Sequence, residues 1–135
     1  MILLDTNVIS EPLRPTPDAC VIAWLDTQPM ETLYLSAVTV AELRAGVALL
    51  PPGKRMTELR ASLEQRVLPL FAGRVLPFDL SCTRAYAELT AKSRAAGSAV
   101  AYIAAIAAAN RFTVATRDTA PFEAAGVDFV NPWKA

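Results

Sequence analysis

Ile2-Leu3-Leu4-Asp5-Thr6-Asn7 is the stretch that decides the fold. A short run of wholly apolar residues ends on an acid. A run without polar alternation reads as a strand buried on both faces, as strands are when helices cover both sides of a parallel sheet. Asp5 then stands at the strand's carboxyl end, where open parallel sheets build ligand sites.

Reading outward, Asn7 to Glu11 reads as one helical turn closed by Pro12. Asp18 caps a predicted helix to Thr27, with Val21, Ile22 and Leu25 inward. Leu33-Tyr34-Leu35 reads as a second strand, followed by a helix from about Thr39 to Leu50 that Pro51-Pro52-Gly53 ends. Met56, Leu59, Leu63, Val67 and Leu70 recur at helical spacing and predict one helix over 54–70. Val75-Leu76-Pro77-Phe78 reads as an edge strand, because proline cannot donate to a ladder. Helices are expected over 81–95 and 100–109, a strand at Phe112–Ala115, a short helix at Pro121–Ala125 and a last strand at Val127–Val130. Strands alternating with helices predict an α/β fold, a short central parallel sheet flanked by helices.

The chain of 135 residues is expected to form a single domain over 1–135. With 53% hydrophobic and 19% charged residues it can bury a core unaided. Cys20 and Cys82 lie in apolar helical stretches with no CxxC spacing, which predicts reduced, packed thiols and a cytoplasmic location. No basic segment with a following apolar stretch and cleavage site opens the sequence, so no leader is expected. The longest apolar run, Ala99 to Ala109, is too short to span a bilayer, so no membrane association is expected. Thirteen basic and thirteen acidic residues balance, which argues against a generic basic nucleic-acid-binding surface. Histidine is absent, which removes catalytic triads, Cys-His dyads and histidine-based zinc sites. Any enzymatic chemistry falls to carboxylates and metal ions.

Three acids fit that role. Asp5 ends the first strand, Asp118 follows the fourth, and Glu42 lies in the first turn of the helix after the second. Carboxylates gathered at one sheet edge raise each other's proton affinity, and a hard divalent cation relieves that cost. Mg²⁺ or Mn²⁺ so held activates a water and stabilises a phosphodiester under in-line attack. Each acid also has a plainer reading. Asp5 can cap a turn, Thr39-Val40-Ala41-Glu42 fits a capping box, and Asp118 can be a turn residue.

Leu3-Leu4-Asp5-Thr6-Asn7-Val8-Ile9-Ser10-Glu11 resembles the opening of the PIN domain, in particular that of VapC and FitB-like toxins. Ser36 to Gly46 resembles the family's second motif, and Ala115-Thr116-Arg117-Asp118-Thr119 with Phe122 its last. Asn131-Pro132-Trp133 resembles the FitB-like ending. The resemblance implies a PIN-like three-layer fold and a Mg²⁺- or Mn²⁺-dependent endoribonuclease, the toxin of a type II toxin–antitoxin pair. It implies a homodimer, an RNA substrate and a VapB-like antitoxin. By position Asp5, Glu42 and Asp118 match the metal-binding, catalytic acids, and Thr6, Asn7, Ser36 and Thr116 match supporting polar residues. Arg117 is expected to touch RNA or to pair with a surface acid. The chain departs from the family near Val100, where a further aspartate is implied. Gly97-Ser98-Ala99-Val100-Ala101 has no acid, and the preceding loop is a few residues short.

Two other readings stand beside the toxin ribonuclease. One is a weak or inactive PIN domain that still binds antitoxin or RNA. The other is a phosphatase- or receiver-like domain with Asp5 as nucleophile, which expects a lysine where Thr116-Arg117-Asp118 stands. A groove between helix 18–27 and helix 54–70 is the expected antitoxin seat, with Trp24 as its anchor or else as core.

Overall fold

Leu3 and Leu4 are adjacent in one strand and both are completely buried. Successive strand residues face opposite ways, so the sheet they belong to is covered on both faces. The computed structural model of the chain describes residues 1–93 and 97–135. Its sheet is parallel, with strands β1 (Ile2–Leu4), β2 (Leu33–Ser36), β3 (Val75–Leu76), β4 (Thr113–Ala115) and β5 (Phe129–Val130) in the order β3-β2-β1-β4-β5. The chain builds outward from β1 to one edge, then returns to lay β4 on its other side. The switch point lies between β1 and β4, where a crevice opens at the carboxyl ends.

Among the described residues seven α-helices cover the sheet: α1 (Thr6–Ser10), α2 (Ala19–Thr27), α3 (Ala37–Ala48), α4 (Lys54–Ser62), α5 (Leu80–Ser93), α6 (Ala99–Asn110) and α7 (Ala120–Ala124). Leu3 and Val114 point into a core shared with Ile103 and Ile106 of α6, Leu89 of α5 and Phe122 of α7. Leu4 and Ala115 point into the opposite core, with Val8 of α1, Val21 of α2, Leu43 of α3 and Phe71. This is the three-layer α/β fold the alternation predicts. The run 103–107 of α6 is buried on every side, which explains an alanine-rich helix without a polar face. Small side chains also let α6 lie close along α5. Among the described residues no helix is long and apolar enough to cross a membrane.

Several boundaries differ from the sequence reading. Residues 54–70 do not form one helix. α4 stops at Ser62, a π-helical turn spans Leu63–Val67, and a 3₁₀ turn spans Leu68–Phe71. Pro69 lacks the N–H that an α-helix needs there, and the wide π turn advances the inward face. Leu70 is therefore 57% exposed and Phe71 fills the core instead. Pro12 does not close the first turn. It sits at the start of a 3₁₀ turn, Glu11–Leu13, that continues from α1. The third strand pairs at the sheet edge only over Val75–Leu76, and the last over Phe129–Val130. The expected end of helix 81–95 lies outside the described residues. Cys82 is buried, Cys20 is half-buried, and both are free thiols.

Candidate functional site

Asp5 is held at the sheet edge by its own backbone. Its N–H donates to the carbonyl of Ala115 at 2.9 Å, one step beyond the β1–β4 pairing. Its carboxylate then does local work. Oδ1 accepts the N–H of Thr6 at 2.8 Å and so caps α1. Oδ2 accepts the Thr116 hydroxyl at 2.8 Å and stands 3.5 Å from Asn7 Nδ2. The cap reading is thus correct for Asp5, and it leaves room for a second role. Burial pushes the Asp5 carboxyl above the usual carboxylate range. Hydrogen bonds from Thr116 and Thr6 pull it back, and the nearby charges of Glu42 and Asp118 push it up again.

Glu42 reaches the same place from α3. The Thr39–Glu42 capping box is not formed. Helix α3 begins at Ala37, earlier than expected, and the buried Ser36 is its cap, with Oγ accepting the Thr39 N–H at 3.0 Å. Glu42 lies beyond the first turn and faces α1, where the Thr6 hydroxyl donates to Oε1 at 2.6 Å. The Thr39 hydroxyl is 3.2 Å from that of Thr6.

The segment after β4 completes the cluster. Thr116 is buried, and its Oγ1 accepts the Asp118 N–H at 3.1 Å. The Arg117 N–H donates to Asn7 Oδ1 at 3.2 Å. Side chains therefore alternate: Thr116 and Asp118 turn toward Asp5, and Arg117 turns away. The expected pairing of Arg117 with a surface acid is not found. No ion pair among the described residues involves it, and its guanidinium lies 5.1 Å from the Trp133 ring centre.

A cleft of about 290 Å³ is lined by Asp5, Thr6, Asn7, Ser10, Glu42 and Asp118 on one side and by Ala99, Val100 and Ile103 of α6 on the other. Ser36 and Thr116 stand behind its wall, capping α3 and tethering Asp5. Ser10 was not singled out in the sequence. The signal for it is spacing, since residues 6, 7 and 10 share one face of a helix. Val100 sits where a carboxylate would face the acids, and the α6 wall is wholly apolar.

A second groove, of about 320 Å³, shares Thr6, Ser10 and Glu42 with this cleft. Leu13, Leu50 and Leu59 floor it, and Arg14 and Arg55 stand along it. It runs between α1, the 3₁₀ turn after it, α3 and α4. Trp24, the expected anchor of a groove against α2, is half-buried and packs against the core around Leu4 and Val21.

Among the described residues no group of three or more His, Cys, Asp or Glu is spaced to enclose a metal ion. The donor chemistry of the cleft still fits a hard cation. Its carboxylates and hydroxyls offer oxygen ligands, and Mg²⁺ is commonly held by one or two carboxylates with its waters retained. The burial and the mutual repulsion that raise the proton affinity of Asp5 mark a place where positive charge is favoured.

The PIN domain family model matches residues 2–127 of this chain. The plasmid stability protein StbB of Pseudomonas syringae pv. tomato is 68% identical over the full length of both proteins. The VapC ribonuclease Y4jK of Sinorhizobium fredii is 58% identical, covering 99% of each. Toxin FitB of Neisseria gonorrhoeae is 56% identical over 98% of this chain and 99% of that protein. The crystal structure of FitAcB from the same organism superposes with a TM-score of 0.94 at 55% identity, covering all of both chains. Sequence and fold agree along nearly the whole length, and the chain belongs to the PIN domain family, among its VapC and FitB-like members.

Proposed function

We propose that this chain is a metal-dependent endoribonuclease, the toxin of a toxin–antitoxin pair, working in the cytoplasm as a homodimer. The observation that carries the reading is the meeting of Asp5, Glu42 and Asp118 along one cleft at the switch point of a parallel sheet. Relatives named as a ribonuclease and as a toxin share its whole length. Asp5, Glu42 and Asp118, which line the cleft together, would hold Mg²⁺ or Mn²⁺. The cation, when bound, supplies Lewis acidity toward a phosphodiester and an activated water. The protein's own part is positional. Thr6 fixes Glu42, Thr116 fixes Asp5, and Asn7 holds the backbone of Arg117. The groove beside the cleft, with its apolar floor and two arginines, is our candidate seat for a VapB-like antitoxin, because a segment lying there covers Thr6 and Glu42.

A second reading is a PIN domain of low activity that still binds antitoxin and RNA. The apolar α6 wall favours it, because Val100 cannot ligate a cation or orient a water. One assay tests both. Purified chain is incubated with single-stranded RNA in Mn²⁺, in Mg²⁺ and in chelator, beside Asp5→Asn. Cleavage that needs the cation and Asp5 supports the enzyme. Binding without cleavage supports the low-activity reading. Cleavage that survives chelation and Asp5→Asn refutes the acid site.

A further inference from the structure

We propose that the C-terminal tail belongs to the substrate-binding machinery, with Trp133 as a positioning residue that holds Arg117 for a phosphate of the bound nucleic acid. The inference rests on the nuclease reading above and adds a residue to it. Arg117 lies between Thr116, which holds Asp5, and Asp118, which lines the cleft. Its backbone is tied to the site through Asn7, and its side chain is exposed. The guanidinium makes no ion pair or side-chain hydrogen bond among the described residues, so its fork of N–H donors is unspent. What holds it is the Trp133 ring, 5.1 Å away. A stack on an aromatic face fixes the guanidinium plane and leaves its edge free for a phosphate oxygen.

The ring is itself braced. The Asn131 side chain accepts the Trp133 N–H at 2.9 Å, Pro132 is buried, and Trp133 packs against the core beneath β1 and β4. The tail lies along α2, where the Cys20 thiol reaches the Ala135 carbonyl oxygen at 3.5 Å. An exposed arginine between Thr116 and Asp118 is thereby set against a braced ring from the tail.

The test is binding of a fluorescent single-stranded RNA to the full chain in chelator, read by anisotropy across a salt series. Arg117→Gln and Trp133→Leu are each expected to weaken binding about two- to five-fold, as loss of an exposed cation–π contact would. Each should lower the slope of affinity against salt by up to about 0.7, the contribution of one phosphate contact on a single strand. Trp133→Phe, which keeps a ring, should bind like the parent. The double variant should be no weaker than Arg117→Gln alone, because one contact has been removed twice. Parent-like affinity and slope in a folded Trp133→Leu, or additive losses in the double variant, overturn the inference. If Trp133→Leu does not fold, Arg117→Lys keeps the charge without the planar stack, and parent-like binding by that variant overturns it as well. Failure of the parent to bind RNA would instead overturn the nuclease reading, and the inference with it.

Discussion

Thr6 and Glu42, thirty-six residues apart, are joined by a hydroxyl-to-carboxylate hydrogen bond of 2.6 Å. Hydrogen bonds to a charged acceptor are short and comparatively strong. This one fixes the direction of a carboxylate that is otherwise exposed on α3. Thr6 and Thr39 form a small hydroxyl shelf between α1 and α3, so Glu42 is aimed before any ligand arrives.

Replacing Thr6 with Val keeps the shape and removes the donor. Supporting partners of metal ligands typically contribute 10- to 100-fold in affinity. Thr6→Val is therefore expected to weaken Mn²⁺ binding by about 10-fold, measured by electron paramagnetic resonance of free Mn²⁺. The melting temperature should move by only a few degrees, because the lost bond is worth about 1 kcal/mol net. Unchanged Mn²⁺ affinity would show that Glu42 is not a ligand or is not aimed by Thr6.

Asp5 predicts a pH dependence. Burial and its acidic neighbours raise its pKa in the folded state. A raised carboxyl binds protons more tightly folded than unfolded, so protonation favours the fold. The charged form costs stability, and that cost appears as pH rises from the unfolded value through the raised folded one. In metal-free buffer Asp5→Asn is expected to melt a few degrees above the parent at pH 7. The gap should narrow as pH falls below the raised pKa. A gap that widens on acidification would reverse the assigned direction.

Asp5 was legible because Ile2-Leu3-Leu4 has one reading, a strand buried on both sides, and the carboxyl end of such a strand is a fixed address. Asp118 followed by the same logic from Phe112 to Ala115. Glu42 was found through a pattern that assigned its neighbours wrongly. Ser36 and Thr39 are both good caps, and the choice between them depends on where β2 stops pairing, which is a tertiary matter. The π turn at Leu63–Val67 left no local mark, because a periodic apolar stripe reads the same until packing decides which turn widens. The contact of Arg117 with the Trp133 ring was out of reach for a different reason. The two lie far apart in sequence, and only the course of the tail over α2 brings them together.

The two thiols should separate kinetically. Cys82 is completely buried, and burial pushes its thiol above the ordinary range. Cys20 is half-buried near the chain end. Attack on an alkylating or disulfide reagent needs the thiolate and access to it. Under native conditions one thiol per chain, that of Cys20, is expected to react at least about tenfold faster, by mass spectrometry of time points. The Cys82 thiol should react only on unfolding. Equal rates would mean that α5 opens readily from the sheet.

The last prediction concerns Val100. It lines the cleft with Asp5, Glu42 and Asp118, one residue into α6 after the Ser98 cap. On the proposed reading, three acids would hold a cation whose remaining ligands are water. Cleavage asks for more, because attacking water and phosphodiester must be aligned, and a misplacement of about 1 Å can cost about 10²-fold. Val100→Asp adds a fourth carboxylate to the cleft, on the otherwise bare α6 wall. It is expected to raise Mn²⁺ affinity and to speed cleavage of single-stranded RNA by about 10- to 100-fold. Loop length is a separate variable, since the loop before α6 is a few residues shorter than the family resemblance implies. A second variant with a few residues inserted ahead of Ser98, with and without Val100→Asp, separates the two. Gain from the aspartate alone would assign the deficit to charge. Gain only when loop and aspartate come together would assign it to the placement of α6. Equal rates in all four proteins would show that Asp5, Glu42 and Asp118 suffice, and that an apolar α6 wall is compatible with full activity.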